Sequence, residues 1–175
     1  MKQQADETKL GFMKFFTLVI IMLFVFMFRH FVMNRIIVSG KSMEPNFVQN
    51  DICWEQRINY RINRYDVVVA KANNEKFIKR VIGLPGDEIV IKDKTVLING
   101  RPINSKYAYT TYANGKSNCL DTTEKIFVCR ENEYFLLGDN RQHSKDSRMF
   151  GCVSKEDITG RVVFRFYPLN RISKL

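Results

Sequence analysis

Glu88-Ile89-Val90-Ile91-Lys92-Asp93-Lys94-Thr95-Val96-Leu97-Ile98-Asn99-Gly100-Arg101-Pro102-Ile103 holds two short runs of branched residues, followed by a turn dipeptide. Such runs fit a pleated, half-buried strand. Asn99-Gly100 between Val96-Leu97-Ile98 and Pro102-Ile103 is a strong hairpin signal, because both residues tolerate a positive φ. The same composition recurs on either side. Asp66-Val67-Val68-Val69 and Val162-Val163-Phe164-Arg165-Phe166 read as further strands, and Leu84-Pro85-Gly86-Asp87 reads as a turn. Residues 104–132 are polar and turn-rich and read as a long surface excursion. From Ile36 onward the chain therefore reads as one mostly antiparallel β domain, residues 36–175.

The first 35 residues differ. Phe15 to Phe28 is an uncharged, almost wholly apolar run, FFTLVIIMLFVFMF, bracketed by Lys14 and Arg29. Its fourteen residues would span about 21 Å as helix, whereas Leu10 to Met33 would span about 36 Å against a hydrocarbon core of about 30 Å. Lys14, Arg29 and His30 can reach the headgroups from such a helix. A cleaved signal peptide would need small residues after the apolar core, and Arg29-His30-Phe31-Val32-Met33-Asn34 offers none. A buried amphipathic helix would show a polar face, and this run has none. The expected organisation is a membrane anchor over residues 1–35 and a β domain behind it. Charge alone does not orient the anchor: Lys2, Lys9 and Lys14 lie on one side, Arg29 and Arg35 on the other.

A chain of 175 residues with 45% hydrophobic content supports one compact domain and a short appended segment. Its 28 Lys and Arg against 18 Asp and Glu give a net charge of +10, consistent with an anionic partner or with a basic solvated surface. The cysteines, Cys53, Cys119, Cys129 and Cys152, form no CxxC pair, and His30 and His143 are the two histidines. No zinc or cluster framework is expected, and no metal or other cofactor. Cys119 and Cys129 are ten residues apart. They are either a disulfide, if their region is exported, or two of four free thiols.

Gly40-Lys41-Ser42 superficially suggests a phosphate-binding loop. That loop needs a glycine five positions before its second glycine, and Arg35 stands there; Met43-Glu44-Pro45 further argues for a turn where a helix should begin. Nucleotide binding is excluded for this segment. Ser42 is better read as a nucleophile. A serine needs a base, and a neutral lysine can serve if burial lowers its pKa. Half-neutralising a lysine at pH 7 costs about 4.6 kcal/mol against its ordinary pKa of about 10.4. Apolar burial supplies effects of that size. Lys79 lies in Phe77-Ile78-Lys79-Arg80-Val81-Ile82, where strand alternation puts Phe77 and Val81 on its own face. A lone strand lysine is more often an edge gatekeeper, so the wider pattern decides.

Val38-Ser39-Gly40-Lys41-Ser42-Met43-Glu44-Pro45 resembles the serine-bearing box of type I signal peptidases. Arg64 to Val69, Lys79 to Asp87 and Gly138 to Gly151 resemble their next three boxes, in family order behind an N-terminal anchor. The resemblance, of the Gram-positive type, implies a barrel-like antiparallel β domain and a membrane-bound serine endopeptidase. The enzyme would remove N-terminal signal peptides from preproteins after small-x-small motifs. It implies Ser42 as nucleophile and Lys79 as general base. Ser144 would hydrogen-bond the Lys79 amine, Asp146 and Arg148 would form a supporting ion pair, and Asp139 and Asn140 would shape the same wall. Val38, Ile78 and Ile36 would line shallow substrate pockets. Gly40 replaces the side-chain oxyanion donor found in one branch of the family, so the Ser42 N–H would need a backbone or water companion.

Expected partners are preprotein signal peptides and anionic membrane lipids, with neither nucleic acid nor nucleotide. The expected location is the bacterial cell membrane, single-pass, with a cytoplasmic N-terminus and an extracytoplasmic catalytic domain. Two rivals remain on sequence. One is a dedicated or accessory relative in surface-fibre (pilus) assembly. The other is a self-cleaving repressor, which would carry a DNA-binding helix-turn-helix where this chain has its apolar run. The topology is directly testable: protease added to intact cells should remove the domain after residue 35, and protection of that domain until the membrane is opened would reverse the orientation.

Overall fold

A computed structural model describes residues 2–31, 33–72, 75–92, 95–103 and 124–175. Helix α1, Lys2–Phe31, opens the chain. Its window Leu10–Met27 has a mean hydropathy of 2.4, carries few charges, and has none of its length buried against protein. Side chains such as Phe12, Phe16, Phe24 and Phe26 point outward. An all-round apolar surface of this length is stable only in a non-aqueous surrounding.

Twelve strands follow among the described residues. They are β1 Met33–Ile37, β2 Ile52–Gln56, β3 Val67–Ala72, β4 Glu75–Gly83, β5 Glu88–Lys92, β6 Thr95–Ile98, β7 Arg101–Pro102, β8 Lys125–Val128, β9 Glu133–Leu137, β10 Val153–Ser154, β11 Ile158–Tyr167 and β12 Ser173–Lys174. All pairings are antiparallel. One sheet runs β1-β2-β11-β3-β4-β9-β10, with β12 also on β11, and a smaller sheet runs β7-β6-β5-β8. The boundary expected at residue 35 falls inside β1, whose Arg35 pairs with Trp54 of β2. Asn99 and Gly100 take φ values of 49° and 76° and join β6 to β7, as their sequence requires.

The expectation of an unbroken surface excursion over 104–132 is corrected in part. Residues 104–123 lie outside the described residues, but β8 occupies 125–128 and pairs with Glu88–Ile91 of β5. Its four residues leave Ile126 and Val128 exposed, and the half-buried Phe127 is the side chain that anchors it. An outward isoleucine and an outward valine on a short strand give no hydrophilic alternation to read.

The small sheet packs through Ile89, Ile91, Val96 and Ile98 onto Phe135 and Leu137 of β9. A second cluster, Ile36, Val38, Met43, Phe47, Cys53, Val67, Val69 and Val162, lies under the segment that carries Ser42. A third joins Val68, Ala70, Val81, Leu136 and Ile158. Phe135 is fully buried and its ring packs against that of Phe127 at a tilt, with centroids 4.9 Å apart, so it links the two sheets. Phe135→Ala is expected to destabilise the domain by about 3–5 kcal/mol, read as a lower urea midpoint; an unchanged midpoint would show that the sheets are held together elsewhere.

Candidate active site

Ser42 sits in a tight loop between β1 and β2. The loop is anchored on both flanks by buried apolar residues, Val38 before it and Met43 and Phe47 after it, and the Phe47 N–H donates to the Met43 carbonyl at 2.9 Å. Further on, Asp51 is completely buried. It accepts from the Val48 N–H (3.0 Å), Arg165 (3.2 Å) and Arg171 (3.3 Å). Arg171 also donates to the carbonyls of Pro45 and Asn46, and Arg165 donates to that of Asn46. Strand β11 and the short helical turn Leu169–Arg171 thus clamp the chain that follows Ser42.

Lys79 arrives from the middle of β4. The register pairs Val68 with Lys79 and Val67 with Arg80, so the two cations leave opposite faces of the sheet. Lys79 is 4% exposed. Its Nζ lies 3.0 Å from Ser42 Oγ and 3.0 Å from the Ile78 carbonyl, and stands 5.4 Å above the Phe77 ring. Burial holds the amine below the usual lysine range; Asp146 and Asp139 push weakly the other way. Arg80, also buried, makes a two-pronged ion pair with Asp139 (2.8 and 2.7 Å) and donates to the Tyr65 carbonyl. A buried cation is costly unless its charge is paired or its neutral form is favoured; Arg80 is paired with Asp139, whereas burial shifts Lys79 toward its neutral form.

The third wall is residues 138–148. Asp146 is fully buried and binds Arg148 through both carboxylate oxygens (2.7 and 2.9 Å), while also accepting from the Gly138 N–H at 3.0 Å. Arg148 reaches on to the Arg141 carbonyl at 2.7 Å. The Asn140 N–H donates to the Ser42 carbonyl at 2.9 Å, and Asn46 donates to Asp139 at 2.8 Å, which ties this wall to the serine loop. Gly138 is required by close approach: a Cβ there would meet Ser144 Oγ at 2.2 Å and the Ser42 carbonyl at 2.5 Å.

The hydrogen bond expected from Ser144 to Lys79 is not made. Ser144 Oγ is buried beside Gly138 with no partner, and Lys79 turns to Ser42 and the Ile78 carbonyl instead. His143 is exposed and contacts Asn140. Ile36, Val38 and Ile78 do line one cleft with Ser42, Val69 and Lys79, about 380 Å³ in volume. Arg80, Asn46 and the Asp51–Arg165–Arg171 cluster escaped the sequence reading. Nothing local in the sequence pointed to them: Arg80 becomes the partner of the buried Asp139 only once the fold brings the two together. Among the described residues no group of His, Cys, Asp and Glu is arranged to hold a metal.

Residues 11–167 match the family described as signal peptidase, peptidase S26. The chain belongs to this signal peptidase family. It is 33% identical over 160 residues to signal peptidase IB of Staphylococcus aureus (strain Mu50 / ATCC 700699), covering 83% of this chain and 84% of the relative. It is 31% identical over 163 residues to signal peptidase I of Bacillus amyloliquefaciens, covering 90% and 88%. A crystal structure of a signal peptidase I from Enterococcus faecalis V583 superposes with a TM-score of 0.50 at 31% identity, covering 58% of this chain and 97% of that one. The family, the β architecture and the single apolar N-terminal helix agree, and the protein is a membrane-anchored member of the Gram-positive type.

The depressed Lys79 pKa makes a stability prediction with a definite sign. Between the folded value and the ordinary value of about 10.4, the unfolded chain holds the proton that the folded chain has lost, so stability rises with pH across that window. Lys79→Met removes the burden of burying the charge. The variant should melt at or above wild type at pH 7, with the difference shrinking toward pH 10; a wild type that is clearly the more stable at pH 7 would contradict a penalised ammonium.

Proposed function

We propose that this chain is a membrane-anchored serine endopeptidase that removes N-terminal signal peptides from preproteins after small-x-small motifs, using Ser42 and Lys79 as a catalytic dyad. The observation that carries the reading is the 3.0 Å approach of a buried lysine amine to a serine hydroxyl in the cleft that Ile36, Val38 and Ile78 also line. No other strong base among the described residues stands within the hydrogen bonds of Ser42, and His143 faces solvent. Neutral Lys79 takes the proton as Ser42 Oγ attacks the scissile carbonyl, and returns it to the leaving amine. It then removes a proton from the water that hydrolyses the acyl-enzyme. Ser42 N–H is aimed at the developing oxyanion, with a backbone or water companion in place of a side chain at Gly40. Ser144 supplies the amine with a hydroxyl partner during the reaction, which accounts for a buried hydroxyl left unpaired in the free enzyme. Asp139, Asn140, Asp146 and Arg148 hold the wall that positions both groups.

Substrate binding follows from the sheet. β1 ends the larger sheet, and β4 pairs with β9 only from Arg80 onward, so residues 75–79 keep a bare edge on that side among the described strands. Both edges flank the cleft, and an extended peptide laid between them would gain backbone hydrogen bonds from each. Ile36, Val38 and Ile78 leave room beneath it for small side chains. The N-terminus lies in the cytoplasm and the β domain outside, where the basic surface rests against anionic lipid. The non-catalytic pilus-assembly reading has no observation in its favour, since both members of the dyad are in hydrogen-bonding contact.

Ser42→Ala and Lys79→Ala should each abolish preprotein cleavage in folded protein. Lys79→Arg should fail as well, because a guanidinium stays protonated. Ser144→Ala should be intermediate and His143→Ala close to wild type. Activity should rise with pH as Lys79 loses its proton, with a midpoint below the ordinary lysine value of about 10.4. A dead His143→Ala beside an active Lys79→Ala would replace the dyad with a histidine mechanism.

A further inference from the structure

Cys129 and Cys152 lie 23 residues apart in sequence, yet their sulfurs are 2.9 Å apart. Cys129 follows β8 and is fixed by backbone bonds to the 84–87 turn, donating to the Asp87 carbonyl and accepting from the Gly86 N–H. Cys152 follows the short helix α2, Ser147–Phe150, and precedes β10. Both belong to the cluster built on Ile82, Phe135 and Leu137, Cys129 fully buried and Cys152 partly open. The third described cysteine, Cys53, is buried in the separate cluster beneath the serine loop. No third or fourth metal-binding side chain joins the pair among the described residues, so a zinc site of three or four protein ligands does not fit. The expected Cys119–Cys129 pairing falls outside the described residues; among the described residues Cys129 has Cys152 as its neighbour.

We propose that Cys129 and Cys152 are joined by a disulfide in the exported enzyme. This rests on the outward placement of the β domain given above, since disulfides persist outside the reducing cytosol. Bringing the sulfurs to a bond length of about 2.05 Å requires a movement of less than about 1 Å. The oxidant is a dithiol–disulfide reagent outside the cell, either a small-molecule disulfide or the active-site disulfide of a thiol oxidoreductase. The more accessible Cys152 attacks as thiolate, forming a mixed disulfide and expelling one thiol of the oxidant. Cys129, as thiolate, then displaces the second thiol from Cys152. Two protons and two electrons leave the protein, and the oxidant's S–S bond becomes two thiols. The order agrees with the electrostatics: the contact with Cys152 and burial push the Cys129 thiol up, whereas the hydrogen bond from Cys129 lowers Cys152. The bond would close a ring containing β9, Asp139, Asn140, Ser144, Asp146 and Arg148, every residue of the wall behind Lys79.

The test uses the full-length enzyme from cells alkylated before lysis, extracted in detergent and mapped without reduction. A Cys129–Cys152 linked peptide is expected. Reduction should lower Tm by about 5–10 °C. Cys129→Ser and Cys152→Ser should each melt like reduced wild type, and reductant should not lower them further. Free Cys129 and Cys152 that stay free when purified enzyme meets oxidised glutathione would overturn the pairing, as would a Cys119–Cys129 peptide. Thiols free in cells that pair only in the purified enzyme would overturn the proposal for the cell, and protease shaving of intact cells would then show separately whether the outward placement had failed.

Discussion

Everything at the site turns on keeping one lysine amine out of water. A protonated Lys79 is tied up by its own charge, and a neutral one is a base. The protein favours the neutral form with apolar neighbours, Phe77 and Val81 along the same strand face and Val68 across it. The carboxylates of Asp139 and Asp146 pull toward protonation, yet each is occupied elsewhere, Asp139 by Arg80 and Asp146 by Arg148. Their arginines take up the negative charge that would otherwise hold the proton on Lys79. The two ion pairs therefore act on the Lys79 amine electrostatically as well as by packing.

That arrangement explains why adjacent residues of β4 have such different surroundings. Strand alternation sends residue 79 to one face and residue 80 to the other, and each face has evolved a separate answer to a buried cation. The serine loop is then held from three directions: by its apolar flanks, by the 138–140 segment through the Ser42 carbonyl, and by the C-terminal arginines on Asp51. Positioning a hydroxyl within hydrogen-bond reach of a buried amine leaves little tolerance, and loops alone seldom provide it.

Much of this was readable from local chemistry. Branched runs, Asn99-Gly100 and the 84–87 turn mark strands and bends because their causes are local. The apolar run over 15–28 marks the anchor because, extended to Leu10 and Met33, it is long enough to cross a bilayer. Ser42 and Lys79 stand in family boxes whose order brings them into one cleft. What escaped depends on distant partners. β8 owes its place to β5 and to a ring on Phe135, and its outward isoleucine and valine disguise it. Arg80 is an ordinary strand arginine until Asp139 is folded onto it. Ser144 lies beside the site, but the angle of one hydroxyl cannot be inferred from spacing. Cys152 is 23 residues from Cys129 along the chain, and only the fold brings their sulfurs together.

The passage from α1 to β1 has a further meaning. The chain stops being helical at Phe31 and is paired as strand from Met33. Within lipid a peptide must satisfy its backbone groups internally, as helix; at the water interface it can borrow partners from another chain. A groove bounded by two strand edges that are bare among the described residues, if it binds peptide as proposed, would recognise that change of state in whatever enters it. An apolar helix cannot lie there, nor can the surface of a finished domain, whose backbone bonds are already made. On the proposed mode of binding, the cut would fall where a translocating chain has left one kind of order and not yet acquired the next, so conformation would be selected before any side chain is read.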